Sequence, residues 1–504
     1  MPSGIERLHQ LQSLPLFVGK KLPELQAMAN LLHKDAHIEC SGYNHHLHML
    51  RYLNLYGELN ITHLEDIKYF RPARLSMKEN LESLGLYWGL IPQLRDSFPK
   101  LPNAQPEVGV SGSHLAPEPE EFTEGLQPHK NLKKLVINGY PGIKFPDWAL
   151  PNLVAADFTN CRSCEHLPAL GNLPLLKTLS LQGIHGMKGI GTEWSSANVG
   201  NAFPRLKKLT VKSCPKLAHI PLPQSLQHLE LRNCNPTNDL VYLPEGLVAS
   251  ASLSSLKILS CPKLHSMPLE MQNLSSLKSL TIRWCEELSS LPQSLQNLKA
   301  LESLDISNCN SLISLPDCGI GGLGSLQTLS IENCSNLTSL SSSLEQLTLL
   351  EHLTIMYCPN LSSFPAGVQH LSSLRSLIIL SCPWFDSLPE GLQNVNTLHC
   401  LEIRSCPNLT YLPEWFKDLD CLRSLTIYDC PNLTLLPLGF NLLAKLQHLS
   451  IQECPELEER CRQGSGEDWS KIAHVPHKYI GSHQVKRSGK VSSSGSSSVQ
   501  ASSQ

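Results

Sequence analysis

The amino-acid sequence predicts an α/β repeat fold in which short strands and turns stack into an elongated solenoid, and two observations lead to this prediction. A cysteine recurs every 24 or 25 residues between Cys261 and Cys454. Each of these cysteines ends the same nine-residue phrase, L-x-x-L-x-I-x-x-C, as in Leu277 to Cys285. This phrase, at a period of about 20–29 residues, is the signature of a leucine-rich repeat.

The strand of each repeat follows from the spacing inside the phrase. Side chains alternate between the two faces of a strand, so the L-x-I step places two apolar side chains on one face. Stacked strands then form a parallel sheet along the concave side of a curved horseshoe, and the alternating polar positions face outward. One repeat cannot bury its leucines alone, so neighbouring repeats complete the core.

The second half of each repeat returns the chain along the convex face. A proline often follows the cysteine, as Pro359 does, and it stops the strand because it lacks an N–H. Leucines three or four residues apart come next, as at Leu291, Leu295 and Leu298. This spacing predicts short helical or irregular turns on the convex face.

The regularity of the phrase divides the chain into six segments. The expected segments are degenerate N-terminal repeats at 1–90, an insertion loop at 91–123, irregular repeats at 124–260, regular 24-residue repeats at 261–460, a C-terminal cap at 461–481 and a disordered serine-rich tail at 482–504.

Composition argues against several classes of protein. The 504 residues carry a formal net charge of −3, so there is no overall basic field for nucleic acid. No stretch approaches the roughly 20 apolar residues of a membrane helix, and the N-terminus makes a poor signal peptide. We therefore expect no nucleic-acid partner, no membrane span, a cytoplasmic or nuclear location and reduced cysteines.

The cysteine ladder invites a metal or redox interpretation, but its spacing favours a structural one. Zinc sites bring ligands together at separations of a few residues, whereas these cysteines lie one repeat apart. Cys161 and Cys164 form a C-x-x-C pair that lacks the second pair of a zinc finger. No phosphate-binding loop and no catalytic arrangement stands out. We expect a protein without cofactor, metal or catalytic residues, which is not an enzyme.

The candidate partner site lies on the concave face, beside the core leucines and isoleucines. Most of these positions are small or polar, but some carry the large side chains that dominate binding hot spots. The alternatives are that these side chains cover one another on the sheet, or that a switch domain packs there. The predicted partner-binding residues are Arg283, Trp284, Met356, Tyr357, Ile378, Leu380, Arg404 and Tyr428.

Two phrases go beyond the leucine pattern, one from Glu124 to Trp148 that ends in KFPDW, and GEDWSKIAHVPHKYI from Gly466 to Ile480. Together with the C-P-x-L closures, they resemble the nucleotide-binding leucine-rich-repeat disease-resistance proteins of plants, of the coiled-coil type. The resemblance reaches about residue 480 and covers the repeat portion alone. Nucleotide binding and cell-death signalling are therefore not implied, and the chain is expected to be a fragment, a truncated gene product or one half of a split system.

The resemblance implies recognition of a pathogen effector or a guarded host protein in innate immunity, or contact with a nucleotide-binding switch domain. The alternative function is a free intracellular scaffold that binds a signalling protein. A nucleotide-binding exon upstream of the gene would favour the first.

Overall fold

The structure is a computed structural model. The described residues are 16–18, 47–66, 73–89, 125–190, 202–217, 222–233, 251–267, 271, 273–361, 364, 366–383 and 385–481. The expected insertion loop at 91–123 and the expected tail at 482–504 lie outside them.

In the described part of the chain, eighteen strands form one sheet. Each strand pairs in parallel with the next strand in sequence, which confirms the predicted solenoid. The strands are β1 (Leu16–Val18), β2 (Gly57–Thr62), β3 (Leu81–Tyr87), β4 (Lys134–Asn138), β5 (Ala155–Thr159), β6 (Thr178–Gln182), β7 (Lys208–Lys212), β8 (His228–Arg232), β9 (Ser255–Leu259), β10 (Ser279–Arg283), β11 (Ser303–Ser307), β12 (Thr328–Glu332), β13 (His352–Met356), β14 (Ser376–Leu380), β15 (Cys400–Arg404), β16 (Ser424–Tyr428), β17 (His448–Gln452) and β18 (His477–Ile480).

The register of the strands places the same repeat position side by side. Leu280 lies opposite Leu304, and Ile282 opposite Ile306, and all four are fully buried. The residues that alternate with them, such as Thr281, lie on the other face and are partly exposed. We call this second face the open face. Apolar burial on one side of the sheet therefore leaves three positions per strand free to vary.

Short helical turns return the chain on the far side of the core, as predicted. Most are 3-10 helices, but the repeat from Cys309 to Cys334, which has 25 residues, carries the α-helix α1 (Asp317–Gly321) instead. An α-helix rises less per residue than a 3-10 helix, so it takes up the extra residue. The 3-10 helices are Leu47–Tyr52, Leu64–Asp66, Leu75–Met77, Leu170–Asn172, Gln293–Asn297, Ser342–Gln346, Ala366–His370, Glu390–Asn394, Glu414–Asp418 and Leu438–Leu442.

The ladder cysteines are buried free thiols at the turn after each strand. The Cys358 Sγ donates to the Met356 carbonyl at 3.3 Å, and the Cys406 Sγ donates to the Arg404 carbonyl at 3.3 Å. Burial raises the pKa of Cys406 to about 12, so its thiol stays neutral at physiological pH. The thiol thus acts as a small apolar group with one weak donor.

The last repeat is covered by two short helices, α2 (Pro455–Arg460) and α3 (Trp469–Ile472), and by β18. Between the helices, the Asp468 carboxylate is 2% exposed and accepts from Arg460 at 3.2 Å and Lys471 at 2.8 Å. Burial alone would raise its pKa, but these donors and the Leu436 amide outweigh burial, and the pKa of Asp468 lies below its usual range.

Replacement of Cys358 with Ser should lower the free energy of unfolding by about 1–3 kcal/mol, because it buries a more polar hydroxyl in the apolar site that the thiol fills. Cys318→Ser is the matched control, since Cys318 is exposed on α1. Denaturant unfolding measures both variants. Equal stability of the two variants would contradict a packing role for the ladder.

The folded protein should lose stability at alkaline pH. Burial raises the pKa of Cys334 from an ordinary value of 9.0 to about 12, so the folded state holds this proton more tightly than the unfolded state. This contribution is complete below about pH 9 and is lost as the pH rises towards 12. Urea unfolding between pH 7 and pH 11 should show a steeper decline for the wild type than for Cys334→Ala. Identical slopes would show that this thiol does not contribute.

Candidate functional site

The open face is organised in columns that run across the strands, with neighbouring side chains about 4.8 Å apart. One column consists of the last residue of each strand. In the C-terminal half this column reads Arg283, Ser307, Glu332, Met356, Leu380, Arg404, Tyr428 and Gln452.

Five of the predicted residues come together on this face. Met356, Leu380, Arg404 and Tyr428 lie in the last-residue column on four consecutive strands, β13 to β16. Ile378 lies on β14 in the middle column of the same face. All five side chains are partly or well exposed. We call this group the apolar zone.

Arg404 lies between Leu380 and Tyr428 in the apolar zone. Its guanidinium carbon lies 5.9 Å from the centre of the Tyr428 ring, within the range of a cation–π contact. It also pairs with the Glu402 carboxylate on its own strand. Its side chain remains 42% exposed. The guanidinium is thus held in place while part of it stays open to a partner.

The other three predicted residues lie elsewhere. Trp284 and Tyr357 fall one residue beyond β10 and β13, at the edge of the sheet, and each is 45% exposed. Tyr357 therefore borders the apolar zone, whereas Trp284 lies three strands away. Arg283, beside Trp284, pairs with Asp305 on β11 and so has a carboxylate partner within the chain.

The position of Trp284 and Tyr357 has a conformation that sequence reasoning missed. Their φ angles are 56° and 53°, in the left-handed region that disfavours bulky side chains. Their amides donate to the carbonyl that ends the next strand, at 2.9 Å for Trp284 and 2.8 Å for Tyr357. The same left-handed position recurs along the sheet at Asn160, Ser213, Asn233, Ser260, Asn308, Asn333, Ser381, Ser405, Asp429 and Glu453, and as glycine at Gly139 and Gly183.

The frequency of Asn and Gly before the cysteine position was the signal that could have revealed this turn. Asn and Gly are the residues that adopt left-handed backbone most readily, and Ser and Asp are small. Trp284 and Tyr357 are aromatic residues with a left-handed φ in this column, whereas Trp88, one residue beyond β3 with the equivalent amide hydrogen bond, does not share that φ. The Trp88 ring packs edge-to-face against Tyr140 at 5.3 Å, so an aromatic side chain after a strand can also contribute to packing.

Within the described ranges, no group of three or more His, Cys, Asp or Glu side chains could hold a metal ion. No helix in the same part of the chain is both long enough and apolar enough to cross a membrane.

Comparison with known proteins identifies the repeats. Residues 47–184 match the family model of R13L1/DRL21 leucine-rich repeats. The chain is 36% identical over 175 residues to putative disease resistance protein RGA1 of Solanum bulbocastanum, which covers 33% of this chain and 15% of that protein. The repeats are homologous to those of plant disease-resistance proteins. Putative disease resistance RPP13-like protein 1 of Arabidopsis thaliana is 28% identical over 205 residues, with 32% and 18% covered.

These matches confirm the resemblance for the repeat portion. The aligned segments span less than a fifth of each relative, so they concern the repeats and not the whole proteins. Among solved structures, the Toll–Spätzle complex of Drosophila matches with a TM-score of 0.51 and 15% identity, over 86% of this chain and 52% of that one. At that identity, the likeness shows the leucine-rich-repeat fold alone.

Replacement of Tyr357 with Asn should stabilise the folded protein by about 0.5–1 kcal/mol, because Asn adopts a left-handed backbone at less cost than Tyr. Ser381→Ala is the control in the next repeat, since Ala gains no such advantage. Thermal and denaturant unfolding measure both. A destabilised Tyr357→Asn variant would show that the ring contributes to packing.

Proposed function

We propose that this chain recognises a protein partner in plant innate immunity, and that the apolar zone with Tyr357 is the contact surface. The partner is a pathogen effector, a guarded host protein or a nucleotide-binding switch domain, met in the cytoplasm or nucleus. Binding requires no cofactor. Homology of the repeats to disease-resistance proteins supports the biological context.

The observation that carries the proposal is the group of partly exposed apolar side chains on the adjacent strands β13 and β14 of a largely polar sheet face. Open-face residues on the neighbouring strand β12 are Thr328, Ser330 and Glu332. On β13 and β14 they include Met356, Ile378 and Leu380 instead. A partner that covers these side chains gains roughly 25 cal/mol for each Å² of apolar surface removed from water.

The strained aromatic position supports the same surface. Tyr357 keeps a bulky ring at a backbone position that favours Asn or Gly, and nearly half of that ring is exposed. Unfavourable conformations of this kind cluster at functional sites. Tyrosine and arginine are also enriched among the residues that dominate binding energy, and Arg404 lies two strands away.

The test measures affinity and stability together. A partner captured by the wild-type chain from infected leaf extract is identified and purified, and its affinity is then measured by calorimetry. Tyr357→Asn and Arg404→Ala should each weaken binding by about 1–2 kcal/mol. Ser260→Asn, at the same left-handed position on a distant repeat, should bind like the wild type.

For Tyr357→Asn, the free energy of unfolding should rise while the affinity for the partner falls. If both variants bind like the wild type while changes in residues 91–123 abolish binding, the surface is misplaced and the insertion is the recognition element.

A further inference from the structure

A cavity lies on the convex side of the solenoid, where the returning segments that follow β4 and β5 meet. Its volume is about 230 Å³. Eleven of its twelve lining residues are apolar, so the cavity is continuous with the hydrophobic core. Six of them belong to that core, namely Leu135, Phe145, Trp148, Leu150, Leu153 and Leu170. We call this space the convex cavity.

The local sequence explains why the core is less filled here. In the regular repeats, a five-residue 3-10 helix brings a fully buried side chain to the convex side, as it does for Leu295. The return from Gly139 to Val154 contains no helix, and Pro146 and Pro151 lie within it. Proline lacks an N–H donor and disfavours a helical conformation in the residue before it. The next return has only the three-residue helix Leu170–Asn172, so fewer side chains fill the space between the two returns.

The lining of the convex cavity determines what it can hold. Protein interiors contain few voids larger than a water molecule, and a buried water needs two to four polar partners. Asp147 is the one charged residue in the lining, and its carboxylate pairs with the exposed Lys144 at 3.3 Å. An apolar cavity of about 150 Å³ is large enough to bind benzene. The convex cavity therefore matches an aromatic ring with a small substituent.

We propose that the convex cavity binds a small uncharged aromatic molecule. The Phe145 and Trp148 rings already meet edge to face, with their centres 5.1 Å apart and their planes at 75°. A ligand ring extends this series, because aromatic rings favour edge-to-face and offset contacts with one another. The residues that line the cavity include no Lys, Arg or His to pair with a carboxylate or a phosphate, which disfavours anionic rings.

The mouth of the convex cavity favours a free molecule over the side chain of another protein. Asp147 and Ala149 are the exposed residues of the lining, and neither offers a large apolar surface. A polypeptide that inserts one ring therefore gains little from contacts around the mouth, yet loses conformational freedom along its backbone. A free ring has no such cost. The cavity lies on the core side of the sheet, opposite the apolar zone, so this proposal does not rest on the proposed function.

The test uses para-fluorotoluene, whose binding to the full chain is measured by the broadening of its fluorine NMR line. The wild type should bind it with a Kd on the order of 0.1–1 mM, as expected for a ligand of about eight non-hydrogen atoms. The matched ligand is para-fluorobenzoate, which has a carboxylate in place of the methyl group. It should bind roughly tenfold more weakly, because burial of an unpaired carboxylate is unfavourable.

Two substitutions fill the cavity from different sides. Ala169→Leu and Ala149→Leu, both at lining residues, should each weaken binding of para-fluorotoluene by about tenfold. Ala169→Leu should melt at or above the wild-type temperature, because it occupies existing space, whereas an overpacked core would melt lower. The matched control is Ala300→Leu, at a partly buried alanine in the turn before β11, which should bind like the wild type.

Three outcomes would overturn the proposal. In the first, the wild type leaves the fluorine line of para-fluorotoluene unchanged up to its solubility limit, or binds para-fluorobenzoate equally well. In the second, both cavity variants bind like the wild type, so the ring binds elsewhere. In the third, a five-residue peptide with para-fluorophenylalanine between glycines binds more tightly than para-fluorotoluene and is lost in Ala169→Leu, which would make a polypeptide the occupant. Melting of every variant is measured alongside binding.

Discussion

The structure depends on the burial of each repeat's leucines against the repeats before and after it. Leu353 and Ile355 of β13 pack in register with Leu329 and Ile331 of β12, and the same contact recurs across the sheet. A single repeat exposes these side chains on two sides, so stability grows with the stack. The parallel register follows, because it places the leucines of neighbouring strands opposite one another although the repeats differ in length.

Because each repeat depends on its neighbours for burial, the repeat at the end of the stack needs a different cover. The final repeat has no successor, and α2, α3 and β18 take its place. Asp468 is the buried anchor there, held by Arg460, Lys471 and the Leu436 amide. This gives a physical reason why the Gly466 to Ile480 phrase is distinctive where the leucine pattern is not. In the N-terminal half, Phe145 makes edge-to-face contacts with Tyr140, Trp148 and Phe158, which accounts for the KFPDW phrase.

The sequence predicted the buried face of the sheet better than the open face. The Leu–Ile alternation predicted strand, register and core, because apolar burial imposes a period that repeats along the chain. It also brought Met356, Leu380, Arg404 and Tyr428 into one column. It did not predict that Trp284 and Tyr357 leave the strand, because the left-handed turn depends on backbone geometry and not on hydrophobicity. Nor did it predict that Lys212 and Arg232 lie side by side, since they meet only through the pairing of β7 with β8, 20 residues further along the chain.

The open face is where this fold leaves sequence unconstrained, so departures from its small polar background carry information. A small polar residue is accommodated at these positions, as Ser303 and Thr328 are. The departures are grouped by chemistry: cations on β7 to β9, apolar side chains on β13 and β14, and a ring held in an unfavourable backbone at Tyr357. Some of these side chains also contact the next repeat, as Lys212 does through Glu230 and Arg404 does through the Tyr428 ring, but each of them stays partly exposed. Their exposed fractions are surface that a partner protein would cover.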